Sequence, residues 1–145
     1  AGLGGINIEN YVHIAAYSCL IGASLISLHD FANLSSRVSV YSSSDDYSGT
    51  SLTNPTVPDK YKNVNSQPVI IEKHVIVGSG SVILPGSHLE EGVAVGALSL
   101  VKMRCQKFKV YAGIPAKKIK SRSKDLLILE EKFKLEEMSC SQRNL

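Results

Sequence analysis

Histidines and a cluster of basic residues are the side chains in this sequence that could do chemistry. Imidazole exchanges a proton near neutral pH and is the commonest general base, and there are four candidates: His13, His29, His74 and His88. Between Gly92 and Lys124 there are nine Lys or Arg residues and no acidic residue, although the whole chain has a net charge of only +3. This end of the chain is therefore expected to bind an anion. Nucleic acid is a less favoured ligand for this basic cluster, because the sequence has no recognised nucleic-acid-binding module.

A six-residue repeat must position these side chains. One aliphatic residue returns at every sixth position from Ile71 to Val101. A period of six fits neither an amphipathic helix nor one long strand, but it fits short strands joined by tight corners, each pointing one aliphatic side chain inward. Three such hexapeptides form one triangular coil of a parallel β-helix, and coils stack about 4.8 Å apart. The repeated residues are Ile71, Val77, Ile83, Leu89, Val95 and Val101.

A less regular repeat precedes this stretch. It runs through Ile8, Ile14 and Leu20 and then, after a slip of two residues, through Leu28, Leu34 and Val40. The small residues 22–24 are predicted to absorb the slip at a corner, because small residues tolerate tight turns. The solenoid is therefore predicted over residues 1–120.

Two segments depart from the repeat. Residues 41–67 are rich in Ser, Thr, Asp, Asn, Gly and Pro, which predicts a long loop excursion, and a loop of this length is usually functional or disordered. Residues 121–145 are predicted to form a helix and a tail that frays. The helix has Ser123 as its N-cap and Asp125 in its first turn, and apolar residues follow at helical spacing up to about Met138.

Composition limits the class of protein. The chain has 145 residues, 43% of them hydrophobic, and a mean hydropathy of +0.04, which is typical of a single soluble domain. No apolar run reaches the roughly 18 residues of a spanning helix and no signal peptide is evident, so a cytoplasmic location is expected. Cys19, Cys105 and Cys140 show no paired spacing and are expected to be reduced thiols. We also expect residues to precede Ala1, because the chain starts within the pattern.

The hexad pattern resembles the left-handed parallel β-helix of hexapeptide-repeat acyltransferases. The segments PVIIEKHVIVGSGSVILPG, VAVGALSLV and YAGIPAKKIK, which lie within residues 68–120, are similar to the C-terminal half of sugar O-acetyltransferases of the galactoside, maltose and O-antigen type. This resemblance implies an all-β, left-handed parallel β-helix with an excursion that reaches a neighbouring subunit of a homotrimer. It further implies acetyl transfer from acetyl-CoA to a sugar of a surface polysaccharide or its precursor.

The resemblance also implies residues that bind coenzyme A. Ser79, Ala97, Lys102, Lys117 and Lys120 match the family's coenzyme A contacts. The usual V-T-K motif is here Val-Lys-Met, and lysines replace arginines, so the bidentate fork that holds a phosphate becomes a point charge. A solvated basic face is the alternative interpretation of these lysines.

The catalytic base departs from the family pattern. The galactoside and maltose enzymes end an aliphatic-Tyr-Thr-Ala-Thr run with the catalytic His, and here Asp45 occupies that position. His13 is the first candidate to replace it, because it occupies an acceptor-contacting position of the family. His88 is the second, because it stands fifth after Ile83 as Asp45 stands fifth after Val40, which predicts that the two share a corner. In either case we expect Asp45 to assist the histidine that removes the acceptor proton. His29 and His74 are expected to be structural, and Tyr17, Asp46 and Tyr47 are candidate contacts to the acceptor.

Two other classes remain open at this stage. γ-Type carbonic anhydrases share the solenoid and bind zinc through histidines, but their close His-x4-His pair is absent, so no metal is expected. A non-catalytic relative that has lost its base would also fit Asp45 at the catalytic position.

Overall fold

The computed structural model describes residues 4–141 and confirms a parallel β-helix of about five turns with one C-terminal helix, α1 (Asp125–Ser141). The strands, in chain order, are β1 (Ile6–Ile8), β2 (His13–Ile14), β3 (Cys19–Ile21), β4 (Ile26–Leu28), β5 (Asn33–Leu34), β6 (Ser39–Tyr41), β7 (Ser43–Ser44), β8 (Asn65–Ser66), β9 (Val69–Ile71), β10 (Ile76–Val77), β11 (Val82–Ile83), β12 (His88–Leu89), β13 (Ala94–Val95), β14 (Leu100–Val101), β15 (Arg104–Cys105), β16 (Lys109–Gly113) and β17 (Ala116–Ser121).

The strands form three faces of a prism. Face A consists of β1, β4, β9, β12 and β15, and face C consists of β3, β6, β11 and β14. Face B consists of β2, β5, β10, β13 and β16, with β17 antiparallel to β16 at its edge. The other neighbours within these faces are parallel, as a solenoid requires.

The predicted hexad positions stack in register through the coils. On face A, Ile8 pairs with Leu28, which pairs with Ile71, which pairs with Leu89. The inward residues of the middle coils are fully buried, whereas Ile8 and Ile14 are 49% and 37% exposed because the first coil has a described neighbour on one side only. Cys105 continues the repeat in the last coil. Burial raises the pKa of its thiol to about 11, so this cysteine is a core residue and not a reactive one.

The slip in the first coils occurs at a corner, as predicted. Gly22 adopts a φ of +144°, and a Cβ on this residue would lie 2.2 Å from Ser42 Oγ. The Ser42 hydroxyl donates to the Ser24 carbonyl at 2.7 Å and accepts from the Ser24 N–H at 3.2 Å. The two additional residues therefore pack against the point at which the next coil opens into the excursion.

The excursion starts two residues later than the sequence predicted. Tyr41 still belongs to β6, and the chain leaves the solenoid after Ser42 and returns at Gln67, whose N–H donates to the Ser42 carbonyl at 3.0 Å. The excursion is also not structureless. Its ends pair as the antiparallel strands β7 and β8, and residues Asp59–Tyr61 form a 3-10 turn.

Helix α1 packs along the corner between faces A and B. Tyr11, Phe31 and His74 stack there from successive coils, with ring centroids 4.8 Å and 5.0 Å apart. The predicted cap is present, since the Asp125 N–H donates to Ser123 Oγ at 3.1 Å. The helix continues three residues beyond the predicted end at Met138, so the first part of the expected frayed tail is helical, and residues 142–145 lie outside the described part of the chain.

We call the contact between helix and corner the helix seam. Phe133 lies edge-on to Tyr11 at 5.2 Å and to Phe31 at 6.1 Å. Three nitrogen-bearing side chains lie 2.5–2.6 Å from the buried carboxylate oxygens of Glu130. The three side chains are those of Lys73, His74 and Lys134.

Candidate functional site

The corner between faces B and C holds two of the predicted coenzyme A contacts. The N–H of Leu98 donates to the carbonyl of Ser79 at 2.9 Å, which stacks the Ala97 turn on the Ser79 turn. A Cβ on Gly78 would approach the backbone nitrogen of Ala97 to 2.5 Å, so glycine is required for this close stacking. The corner therefore presents a column of small side chains that leaves the backbone accessible. We call it the small-residue corner.

Lys117 lies at the end of this column and Lys120 does not. In the hairpin of β16 and β17, Lys117 pairs with Ala112, near the small-residue corner. Lys120 pairs with Val110, toward the other end of β16. Lys102 follows β14, at the end of face C opposite Ala97. The structure therefore groups Ser79, Ala97 and Lys117, and it separates Lys102 and Lys120 from them.

Tyr17 lies on the small-residue corner in the first coil. The residue is 83% exposed, and the guanidinium carbon of Arg37 lies 5.7 Å from the centroid of its ring. The other two predicted acceptor contacts, Asp46 and Tyr47, lie in the excursion. The predicted acceptor residues are thus divided between two regions of one chain.

Asp45 and Asp46 are neighbours with different environments. The Asp46 carboxylate accepts from the hydroxyl of Ser51 at 2.7 Å, from the N–H and hydroxyl of Ser48 at 2.8 and 2.9 Å, and from the hydroxyl of Thr50 at 3.1 Å. These hydrogen bonds, that of Ser51 first, lower the pKa of Asp46. Among the described residues, none donates to the Asp45 carboxylate. Asp46 thus organises the loop, and Asp45 remains available to a ligand.

A cavity of about 460 Å³ lies between the excursion and face C. Asp45 and Tyr47 line it from the excursion, and Val82 and Leu84 line it from β11 and the residue after it. Val82 and Leu84 were not among the residues predicted for the site, although they line this cavity. The signal was present, because they flank the inward Ile83 and must point outward, where an apolar side chain is unexpected. Lys102 follows β14, the strand that pairs with β11, but it is not among the residues that line this cavity.

The predicted pairing of Asp45 with His88 is wrong. His88 stacks on Ile70 of the previous coil, and its Nε2 lies 2.5 Å from Glu72 Oε1. The count of five residues after Val40 fails because the chain has already left the solenoid after Ser42. The carboxylate that orients His88 therefore comes from face A and not from the excursion.

His13 is not paired with Asp45 either. It lies on face B, and its Nδ1 is 2.9 Å from Asn33 Oδ1 of the next coil. His29 and His74, which were expected to be structural, have carboxylate partners. His29 Nδ1 lies 3.8 Å from Glu9 Oε1, and His74 Nε2 lies 2.6 Å from Glu130 Oε2 in the helix seam. Within one chain, each of the four imidazoles has a partner other than Asp45.

The described residues provide neither a metal site nor a membrane-spanning helix. Within residues 4–141, no group of three or more His, Cys, Asp or Glu side chains could hold a metal ion. No helix in the described part of the chain combines the length and the apolar character needed to cross a membrane.

Comparison with known proteins identifies the family. No family model matches the sequence. The chain is 55% identical over 134 residues to the dTDP-4-amino-4,6-dideoxy-D-glucose acyltransferase of Escherichia coli, a match that covers 92% of this chain and 70% of that protein. This chain belongs to the hexapeptide-repeat sugar acyltransferases. It is thus an enzyme of the acyltransferase class, as predicted, and the non-catalytic and carbonic anhydrase alternatives gain no support.

Solved structures of related proteins agree with this assignment. The N-acyltransferase AntD from Bacillus cereus, in complex with dTDP and 3-hydroxybutyryl-CoA, superposes with a TM-score of 0.89 at 47% identity, over 94% of this chain and 72% of that chain. A variant of AntD in which one serine is replaced by alanine has been solved in complex with dTDP-4-amino-4,6-dideoxyglucose and coenzyme A. A putative lipopolysaccharide O-acetyl transferase of Escherichia coli K12, WbbJ, is 29% identical over 87% of this chain and 62% of that protein.

Proposed function

We propose that this enzyme transfers an acyl group from acyl-coenzyme A to the amino group of a nucleotide-linked 4-amino-4,6-dideoxy sugar. The observation that carries this proposal is the 55% identity, over 92% of the chain, to an acyltransferase named for that substrate. Acetyl transfer to a sugar hydroxyl, which the sequence predicted, becomes the second candidate, because the O-acetyl relative is only 29% identical. The predicted cytoplasmic location and role in surface polysaccharide synthesis are compatible with either acceptor.

The small-residue corner is the proposed site of the acyl donor. Ser79 and Ala97 carry no bulky side chain, so a pantetheine arm can lie against the backbone, and the Lys117 ammonium at the end of the column can pair with a phosphate. Lys120 and Lys102 lie apart from this column in one chain. They fit a donor site only if it extends over a second subunit.

Asp45 is the proposed acceptor of the proton that the sugar amine must lose. An amine attacks a thioester carbonyl only as the free base, and a positioned carboxylate can remove its proton while the carbon–sulfur bond breaks. Structures of AntD include variants in which a serine is replaced and variants in which an aspartate ten positions later is replaced. Ser35 with Asp45 and Ser36 with Asp46 both have that spacing here. Because the Asp46 carboxylate already accepts hydrogen bonds from its own loop, the pair Ser35 and Asp45 is favoured.

A homotrimer is the proposed assembly. In one chain the small-residue corner lies at the start of face C, whereas Asp45 and Tyr47 lie beyond the other end of face C, in the excursion. This division of the machinery supports a site shared between subunits, in which the excursion of one chain reaches the small-residue corner of the next. His13 and His88 remain candidates for the base only as residues of such a shared site.

An acceptor panel tests the reaction. The purified protein is incubated with acetyl-CoA or 3-hydroxybutyryl-CoA and, separately, dTDP-4-amino-4,6-dideoxyglucose, dTDP-glucose or a free hexose. Thiol release is measured together with the mass of the product. We expect an acylated product with the amino sugar only. Acylation of dTDP-glucose or the hexose without acylation of the amino sugar would contradict N-acyl transfer and favour O-acyl transfer.

A further inference from the structure

The proposed donor site does not account for all of the basic residues near the C-terminus. Of these, Arg122 is hydrogen-bonded to the backbone, since its Nη1 donates to the carbonyls of His74 and Gly92 at 2.9 and 3.0 Å. Arg104 Nε is bound to Glu90 Oε1 at 2.5 Å. Three lysines that the donor site does not use surround one cavity of about 540 Å³. We call it the basic cavity; its lining is Glu90, Gln106, Lys107, Phe108, Lys109, Ser121, Arg122 and Lys124.

The charges around the basic cavity do not neutralise one another. Four cationic side chains and one carboxylate line it, so its net charge is 4 − 1 = +3. The single carboxylate, Glu90, is already engaged, because it accepts from Arg104 Nε and, at 3.0 Å, from the N–H of Lys107. These contacts, that of Arg104 first, lower the pKa of Glu90. Gathering like charges without a counter-charge is unfavourable, and an anionic ligand would remove that cost.

Contacts between separate segments of the chain hold the walls of the cavity. Lys109 Nζ donates to Ser121 Oγ at 2.9 Å, which ties β16 to β17. Lys124 Nζ lies 5.3 Å from the centroid of the Phe108 ring, which is nearly buried. Helix α1 begins at the next residue, Asp125, so the positive end of its dipole adjoins the same space. The cations therefore come from separate segments that converge on one position.

The basic cavity is distinct from the small-residue corner. Lys109 stands at the start of β16 and Gly113 at its end, next to the strand partner of Lys117. Four residue steps at about 3.3 Å each place the two ends about 13 Å apart. Lys109 Nζ is held by Ser121, its strand partner at the end of β17 that lies farthest from Lys117, so the two lysines are directed to different ends of the hairpin.

We infer that the basic cavity binds a phosphate group of a ligand other than the acyl donor. A phosphate offers several acceptor oxygens and a charge of up to −2, which matches convergent ammonium groups, the Ser121 hydroxyl and the Gln106 amide. The phosphate can belong to a soluble diphosphate or to a lipid headgroup. Both sources share the chemistry that the cavity recognises.

Calorimetry with inorganic pyrophosphate, at constant ionic strength, tests this inference on the full-length protein. We expect Lys107→Ala/Lys124→Ala to lower pyrophosphate affinity about tenfold or more, because two charge-assisted contacts are lost. Lys60→Ala/Lys132→Ala, which removes the same charge from exposed positions elsewhere, is the matched control and should bind as the wild type does. Lys107→Gln/Lys124→Gln repeats the test with most of the side-chain volume kept.

Three results would overturn the inference: no pyrophosphate binding by the wild type, an equal loss in the test and control variants, or a parallel loss of 3-hydroxybutyryl-CoA affinity in the test variant. The last would assign the cavity to the donor. A second arm measures binding to phosphatidylcholine vesicles with and without phosphatidic acid. Binding that requires both phosphatidic acid and the two lysines identifies a lipid phosphate as the source. Binding of pyrophosphate alone, lost in the test variant, identifies a soluble one.

Discussion

Helix α1 and the excursion are both additions to the solenoid, but they are attached in opposite ways. The helix is held by contacts between residues far apart in sequence, such as Phe133 with Phe31 and Glu130 with His74. The excursion is held largely by its own short-range hydrogen bonds, and the Asp46 carboxylate binds three residues that follow it within five positions. The helix therefore satisfies its buried carboxylate, Glu130, in contacts that include the solenoid residues Lys73 and His74. The excursion instead keeps the Asp45 carboxylate and the Tyr47 ring open.

This difference suggests a division of roles. Glu130 is buried among Lys73, His74 and Lys134. A carboxylate in that position contributes to stability and is not accessible to a substrate. Tyr47 is 93% exposed at the cavity that Asp45 lines. Substitutions in the helix seam should therefore change stability, and substitutions in the excursion should change turnover.

The largest expected effect is that of Asp45→Asn on turnover. If Asp45 accepts the proton of the amine, its amide should lower kcat about 10²- to 10⁴-fold, the usual worth of general-base catalysis. The melting temperature should not change, because no described residue depends on this carboxylate. Asp59→Asn is the matched control, since Asp59 is an exposed residue of the excursion whose carboxylate contacts only Lys62 among the described residues. Full activity of Asp45→Asn would remove the proposed role of the excursion.

Glu130→Gln should show the reverse pattern, a loss of stability with little loss of kcat. Breaking a fully buried ion pair costs about 3–5 kcal/mol. Because Lys73 and Lys134 are 33% and 48% exposed, we expect a smaller decrease in the free energy of unfolding, about 2 kcal/mol. Urea denaturation measures it, with the exposed Glu131→Gln as control. Equal stability of the two variants would show that the helix is held by its apolar contacts alone.

The smallest expected effect is a dependence of the free energy of unfolding on pH that arises from Glu130. Desolvation raises the pKa of Glu130, but hydrogen bonds from Lys134, Lys73 and His74 outweigh it and lower the pKa from 4.5 to about 2. A carboxyl with a depressed folded-state pKa stabilises the fold above its unfolded pKa and loses that contribution as pH falls through its folded pKa. The difference in unfolding free energy between wild type and Glu130→Gln should thus shrink between pH 4.5 and about 2. A constant difference over that range would contradict this assignment.

Much of the solenoid could be predicted because its pattern is local. An inward residue at every sixth position, as in Ile71, Val77 and Ile83, assigns inward and outward directions to its neighbours without knowledge of the distant chain. The slip at residues 22–24 and the cap at Ser123 were predictable for the same reason. The start of the excursion was not, because Ser42 and Gln67 close it through a hydrogen bond between residues far apart in sequence.

The sequence by itself therefore determined the coils, the presence of the excursion and the stacking of the small residues Ser79 and Ala97 at one corner. Tertiary structure decided which side chains pair. It gave His88 the carboxylate of Glu72 in place of Asp45, and it buried Glu130 within a helix rich in leucine. Both outcomes depend on which coil meets which residue across the stack. A hydrogen bond or ion pair is decided by a few ångströms between atoms, whereas the hexad repeat specifies only the direction in which each side chain points.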